Sequence, residues 1–376
     1  MRIEPFALER FQSEWEHRVR HNLSESGVRP LSVRQLVGDD AALDALLDAP
    51  LIYSQTNGTP ALREAIAALY PGATADHVQV TSGGSEANFV TTWRLVERAD
   101  EVVVMVPAYL QVAGVVRAFG VTVREWPMTH DPSGWRPDLD ALPGLVSPAT
   151  RAIVVTTPNN PTGARLRAED LDRIGAVADS VGAWVVSDEI YRGAELDGVE
   201  SASMWGRGER VIVTSGLSKA YGLPGLRVGW AVAPPEVVKA LWAYHDYTSI
   251  APNALSDRLA TSALAPPARA ALLARTREIL RRNVPAVETW LRGCGHAFSW
   301  VSPEAGAFVF ARYEAPINST ALVTRLRDEE SVLVVPGDHF GMDGYLRLGI
   351  GEDADYVLAG LERLKALLDR TAGARR

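Results

Sequence analysis

The chain has a single cysteine, Cys294, among its 376 residues. An intrachain disulfide is therefore excluded, and a reducing, cytoplasmic setting is the simple expectation. Cys294 has no evident activating neighbours and is read as structural. No apolar run approaches the roughly 20 residues that a membrane-spanning helix needs. Residues 1–20 lack the apolar core of a secretory signal. Basic side chains are outnumbered, 38 Lys and Arg against 46 Asp and Glu, and the net charge of −8 argues against a nucleic-acid partner. The terminal pair Arg375-Arg376, the one block of basic residues that stands out, reads as a frayed tail. No repeat of fixed period and no low-complexity stretch is present. A P-loop is absent, and Gly222-Leu-Pro-Gly225 is not a GxGxxG turn, so a nucleotide-binding module fits poorly. No metal site is expected.

What remains is an ordinary globular composition, 47% hydrophobic and 22% charged, long enough for a large and a small domain. Residues 4–20 read as a helix with Phe6, Leu8, Phe11, Trp15 and Val19 on one face. Two short helices fit 31–49, and Thr59-Pro60 marks a helix start with proline at its first position. Strand and helix signals then alternate. Strands are expected at 77–81, 101–106, 121–126, 152–156, 183–187, 211–214 and 227–232, and helices from 85, over 109–118 and over 168–181. Apolar strands alternating with helices predict an α/β fold with a mostly parallel central sheet covered by helices. In such sheets ligands sit in the loops at the carboxyl ends of the strands. Beyond about 235 the pattern is helical, with one long helix inside 254–293. Residues 297–369 then mix strands and helices as a small α+β domain. The expected division is a large domain over 31–275 and a small one made of 1–30 and 276–376.

Five loops carry unusual chemistry. Ser215-Gly-Leu-Ser-Lys-Ala-Tyr-Gly-Leu-Pro-Gly-Leu-Arg-Val-Gly229 sets Lys219 among small residues and follows it with Arg227. A lysine shielded from water loses charge and becomes a nucleophile, and an arginine holds a phosphate. A solvated surface lysine is the plain alternative. Ser82-Gly-Gly-Ser-Glu86 lies between a strand and a helix, where backbone N–H groups can face an anion, although many such turns carry glycines. Tyr109 follows a buried strand and is suited to stacking on a flat ring or to plain surface packing. Thr157-Pro-Asn-Asn-Pro-Thr-Gly163 is a stiff loop that either aims an amide or simply turns. In Ser187-Asp-Glu-Ile-Tyr-Arg192, Asp188 emerges at the end of an apolar strand, where a carboxylate can hold a pyridine nitrogen protonated. Glu189 is read as structural.

In order and spacing these segments resemble the class I/II aminotransferases, fold type I enzymes dependent on pyridoxal 5′-phosphate (PLP). The likeness runs from about Tyr53 to Ile350. It implies Lys219 as the Schiff-base lysine and proton carrier, and Asp188 on the cofactor's ring nitrogen. Asn160 and Tyr191 would meet its phenolic oxygen, and Tyr109 would stack on its ring. Gly84, Ser85, Ser218 and Arg227 would hold its phosphate. Arg347 would fork onto a substrate α-carboxylate, with Gly27 in the segment that closes over the substrate. Taken without the likeness, Arg347 alternates with leucines on a strand and has even odds of facing solvent. Tyr53 would reach the phosphate of a neighbouring subunit, implying a homodimer with shared sites and a small amino-acid substrate. Two departures stand out. Gly216 occupies a position where the family usually has serine, so a phosphate hydroxyl is missing or supplied by Ser215 or Ser218. The segment Ser24-Glu-Ser-Gly-Val-Arg-Pro30 is closer to capreomycidine-synthase-like enzymes of specialised metabolism, which use the cofactor for eliminations and cyclisations. Arg29, Tyr247 and His339 are candidates for deciding the outcome, and Glu25 for recognising a basic substrate.

Overall fold

The structure, a computed structural model, describes residues 3–373, so Arg375-Arg376 lies outside it. Helix α1 (Ala7–Trp15) is shorter than the 4–20 suggested by its apolar stripe, because the chain turns through 16–20. The Arg327 guanidinium sits 3.8 Å from the Trp15 ring at that end. A short strand β1 (His21–Asn22) is followed by α2 (Val33–Val37) and α3 (Asp40–Leu47), capped by Ser32 and Asp39. Helix α4 (Pro60–Ala67) begins with a Thr59 cap and Pro60 at its first position, as the sequence predicts.

The eight strands of the central sheet are β2 (Val78–Thr81), β3 (Glu101–Val106), β4 (Thr122–Asp131), β5 (Gly134–Pro137), β6 (Thr150–Thr156), β7 (Trp184–Asp188), β8 (Val211–Gly216) and β9 (Gly229–Val232). Their spatial order is β2-β9-β8-β7-β6-β3-β4-β5. Strands β8, β7, β6, β3 and β4 are parallel neighbours. Strand β9 runs antiparallel between β2 and β8, so β2 shares the common direction. Helices α5 (Gly84–Leu95), α6 (Gln111–Ala118), α7 (Leu142–Leu145) and α8 (Ala168–Val181) lie between the strands in the chain, and α9 (Pro235–His245) follows the last of them. Successive strand residues feed opposite cores. Val103, Met105, Ile153 and Val155 enter one, and Val102, Val104, Ala152 and Val154 the other. This is why the strands read as continuous apolar runs.

The long helix expected inside 254–293 is α11 (Pro266–Gly293), and a shorter α10 (Ala254–Leu264) precedes it. Ala265 is extended, and Pro266 fixes the new start. Leu272, Leu273 and Leu280 of α11 pack into the sheet's core, whereas Val284, Val287, Trp290 and Leu291 pack into a second one. The boundary drawn at 275/276 falls inside this helix. Pro285 also sits within it.

The second core lies between helices and the strands β10 (Phe298–Trp300) and β11 (Phe308–Tyr313). After α12 (Ser319–Glu330) come β12 (Val332–Leu333), β13 (Val335–Pro336), β14 (Tyr345–Gly349) and α13 (Ala354–Gly373). Strands β10-β11-β14-β13 form an antiparallel sheet, and β1 pairs with β12. The N-terminal segment joins both cores, with Leu8 and Val28 in the first and Leu23 in the second. Leu23 is laced on both sides, its N–H to Leu333 O at 2.7 Å and its carbonyl from Gly349 N–H at 2.8 Å. Gly349 and Gly351 press directly on the backbone of residues 23–28, where a Cβ would not fit. Because β2, β3, β6, β7 and β8 point the same way, Thr81, Val106, Thr156, Asp188 and Gly216 end on one edge of the sheet, and the N-terminal segment passes over it.

Candidate active site

A cavity of about 400 Å³ opens at that edge. Lys219 enters it from the turn after β8. Its ammonium lies 3.6 Å from the carboxylate of Glu25. Burial pulls the lysine pKa down, but Glu25 and Tyr191 outweigh it, and the balance lies above the ordinary value. The loop alone suggested a depressed lysine. The opposing carboxylate comes from the N-terminal segment, far away in sequence.

Asp188 faces the cavity from the end of β7 and accepts from Asn88 Nδ2 at 2.9 Å and Ile190 N–H at 3.1 Å. Burial raises its pKa, and these two donors offset only part of that. Tyr191 donates to Ser26 Oγ at 2.9 Å. Tyr109 donates to Glu9 Oε1 at 2.7 Å, and its ring meets Phe6 edge-on at 4.8 Å. The two asparagines of the 157–163 loop divide their work. Asn159 braces the loop through Thr162 and Pro107, and Asn160 turns into the cavity.

Arg347 is 1% exposed, which settles its even odds in favour of the interior. Its register opposite Phe310 and Val335 turns it inward. It donates to Asn160 Oδ1 at 2.9 Å and to the Ser24 carbonyl, while its Nε has no partner among the described residues. Burial lowers its pKa.

Gly84 and Ser85, at the start of α5, line the same cavity as Ser218 and Arg227. Arg227 Nη1 donates to Ser218 Oγ at 3.3 Å, and the guanidinium fills the space a side chain at Gly83 would need. Gly216 has no room for serine, since a Cβ there would lie 2.8 Å from Val228 O. It pairs with Gly229, which in turn backs onto Gly83 and Gly84. Ser215 Oγ donates to Glu189 O, leaving Ser218 as the hydroxyl that reaches the cavity from this loop. Glu189 is buried and bonded to Ser187, Ser203 and Met204, a structural role.

Gly27 and Tyr53 lie outside this cavity, Tyr53 having been expected at a neighbouring subunit's site. Gly27 does not line this cavity but packs on the Ser218–Lys219 backbone. Tyr53 is 83% exposed on the outer surface. Of the outcome-deciding candidates, Arg29 pairs with Asp353, Tyr247 is exposed, His339 packs on Phe11, and Glu25 alone lines the cavity. Asn88 was missed. It sits one helical turn after Gly84 and joins Asp188 to Thr214, a spacing that marks the same helix face. Glu9, Gln12 and Ser26 also line the cavity, and no local signal in the sequence places them there.

The family model for aminotransferase class I and II matches residues 41–364. The chain belongs to this family. It is 34% identical to capreomycidine synthase of Streptomyces vinaceus, over 98% of this chain and 95% of that protein. A PLP-dependent aminotransferase from Streptococcus suis superposes with a TM-score of 0.92 at 29% identity, covering 98% of this chain and 99% of that one. The PLP-dependent cyclase OrfR superposes with a TM-score of 0.89 at 31% identity, covering 98% of each chain. The protein is a PLP-dependent enzyme, and the cavity fits the cofactor. Asp188 is a buried carboxylate whose partners here are amides, which suits a protonated ring nitrogen. The N–H groups that open α5, beside Arg227, suit a phosphate.

Behind that helix start, Glu86 accepts from Ser82 N–H, Thr248 Oγ1, and both the N–H and the hydroxyl of Ser249. His245 Nδ1 lies 3.2 Å from it. Burial raises its pKa, but His245, Thr248 and Ser82 pull harder and bring it down to about 2. A depressed acid contributes stability above its ordinary pKa of 4.5 and loses it as pH falls towards about 2. Glu86→Gln is expected to cost roughly 2–3 kcal/mol near neutrality. Chemical denaturation across pH should show the gap to wild type narrowing below the ordinary glutamate pKa.

Proposed function

We propose that the protein is an aminotransferase, moving an amino group between an α-amino acid and a keto acid. The observation that carries this reading is that Lys219, Asp188 and Arg347, from three distant segments, face one cavity. Bound there, PLP supplies an aldehyde that takes up amines and a ring that withdraws electrons from the substrate Cα. Lys219 would hold the aldehyde end and carry the proton at Cα. Asp188 would keep the ring nitrogen protonated, with Asn88 fixing its carboxylate. Asn160 and Tyr191 would bind the phenolic oxygen, Tyr109 would pack on the ring, and Gly84, Ser85, Ser218 and Arg227 would hold the phosphate. Arg347, which lines the same cavity, takes the substrate carboxylate. A second reading is cyclisation, elimination, replacement or decarboxylation of an amino acid in specialised metabolism. It is favoured by the likeness to capreomycidine synthase and OrfR along almost the whole chain.

The reading includes a cytoplasmic homodimer and the two-domain division at 31–275. Leu51, Ile52 and Tyr53 are exposed, as are Tyr247 and Ile250. Two hydrogen bonds tie the segments together, Ser54 Oγ to Pro252 O at 2.6 Å and Trp242 Nε1 to Thr56 Oγ1 at 2.7 Å. They therefore form one apolar face, suited to a second copy that receives Tyr53 at its phosphate. Gly27 would close over the substrate from behind Lys219.

Borohydride treatment of the holoenzyme is expected to fix the cofactor to the peptide carrying Lys219. A reducible lysine adduct at the same site in Lys219→Ala would sink the assignment. Incubation with single amino acids separates the two reactions. Conversion that waits for a keto acid supports transamination, whereas ammonia or carbon dioxide released without an acceptor supports the second reading. Sedimentation equilibrium is expected to give a dimer mass for the wild type and a monomer mass for Ile52→Asp. A monomeric wild type refutes the shared site.

A further inference from the structure

Helix α5 opens without a side-chain cap. Its N-cap residue is Gly83, at φ 84°, and nothing there takes up the first N–H groups of the helix. Glu86 is the third helical residue, where an acidic side chain ordinarily reaches back to the N-cap N–H. Here it reaches one residue further, to Ser82 N–H, and Gly83 N–H goes to Thr81 O at 2.9 Å. Both N–H groups ahead of the helix are thus taken. Those of Gly84 and Ser85, two residues that line the cavity, have no acceptor among the described residues.

The rest of the Glu86 carboxylate is held from behind. Thr248 Oγ1 donates to it, as do Ser249 N–H at 3.1 Å and Ser249 Oγ at 2.9 Å. His245, the last residue of α9, is fully buried and sets its Nδ1 3.2 Å from the same carboxylate. The His245 carbonyl accepts from Thr248 N–H at 3.0 Å and from Ile250 N–H at 3.3 Å. One residue therefore fixes both the carboxylate and the turn that supplies its other donors. A negative charge this close to a phosphate seat repels the phosphate. What offsets that repulsion is the shape the carboxylate imposes. The 82–85 turn is wedged between Glu86 on one side and Arg227, whose guanidinium occupies the space of a Gly83 side chain, on the other.

Resting on the PLP reading, we infer that Glu86 is a positioning residue for the cofactor's phosphate, with His245 as its brace. Glu86 touches neither the cofactor nor the substrate. By tying Ser82 to residues 248–249 it fixes the turn so that the Gly84 and Ser85 N–H groups stay free for the phosphate beside Arg227.

The test compares PLP with pyridoxal, which has the same ring and aldehyde and no phosphate. The full chain is stripped of cofactor and titrated with each, and binding is read from the absorption of the bound aldehyde. Wild type is expected to prefer PLP by about a hundredfold or more, as two or three charge-assisted hydrogen bonds imply. Glu86→Gln should cut that preference about tenfold and leave the affinity for pyridoxal nearly unchanged. Taking the ratio cancels the general loss of stability expected of this variant. Thr248→Val/Ser249→Ala keeps the carboxylate and removes two of its hydroxyl donors, which separates position from charge. It should lower the preference by a smaller factor. A preference unchanged in either variant overturns the proposal, as does a loss shared equally by PLP and pyridoxal. A preference that rises in Glu86→Gln also overturns it, because the carboxylate then acts mainly by repulsion. Wild type that binds PLP no better than pyridoxal overturns the proposal together with the phosphate seat on which it rests.

Discussion

A guanidinium at 1% exposure is the constraint on which the active-site edge depends. A charge removed from water needs acceptors, and Arg347 draws them from both sides of the molecule. Asn160 reaches it from the loop after β6, and the Ser24 carbonyl reaches it from the N-terminal segment. The small antiparallel sheet, the carboxyl edge of the large one and the first 30 residues are therefore tied at one side chain. The guanidinium Nε has no partner among the described residues.

The glycines explain how this corner of the cavity is assembled without a serine at 216. Gly216 and Gly229 are register partners in β8 and β9, and Gly229 lies against the turn of Gly83 and Gly84. Three backbones meet where side chains would force them apart. Serine at 216 would push on Val228, and Ser218, bonded to Arg227, is the hydroxyl of this loop that lines the cavity. On the far side of that turn Glu86 collects the donors of residues 248–249, linking the exposed 247–250 stretch to the start of α5.

Much of this was legible in the sequence because parallel strands buried on both faces leave an unbroken apolar signature, and their ends locate the loops. Asp188 at the end of such a run, and Lys219 after another, could be placed without coordinates. The Thr59-Pro60 start was equally local. What escaped depends on long-range contact. Nothing near Glu9 or Glu25 says that it lies over Lys219, so neither the glutamates at the mouth nor the raised lysine pKa could be read from the loop. Strand β9 gave its position but not its antiparallel direction, which depends on its neighbours β2 and β8. Arg347, flanked by leucines, had the alternation of a surface strand. Only the packing of a second element over that face, with Phe308 and Phe340 near the guanidinium, shows it to be interior. The Arg327 that sits over Trp15 at the end of α1 likewise comes from a distant element, α12.

Helix α11 belongs to both cores, with Leu280 in one and Val284 in the other. Between them and just beyond, Pro285 offers no N–H to the carbonyl of Arg281, so one rung of the helical ladder is missing at the crossing. A helix buried in both cores ties the small sheet, which carries Arg347, to the large one through a single length of backbone.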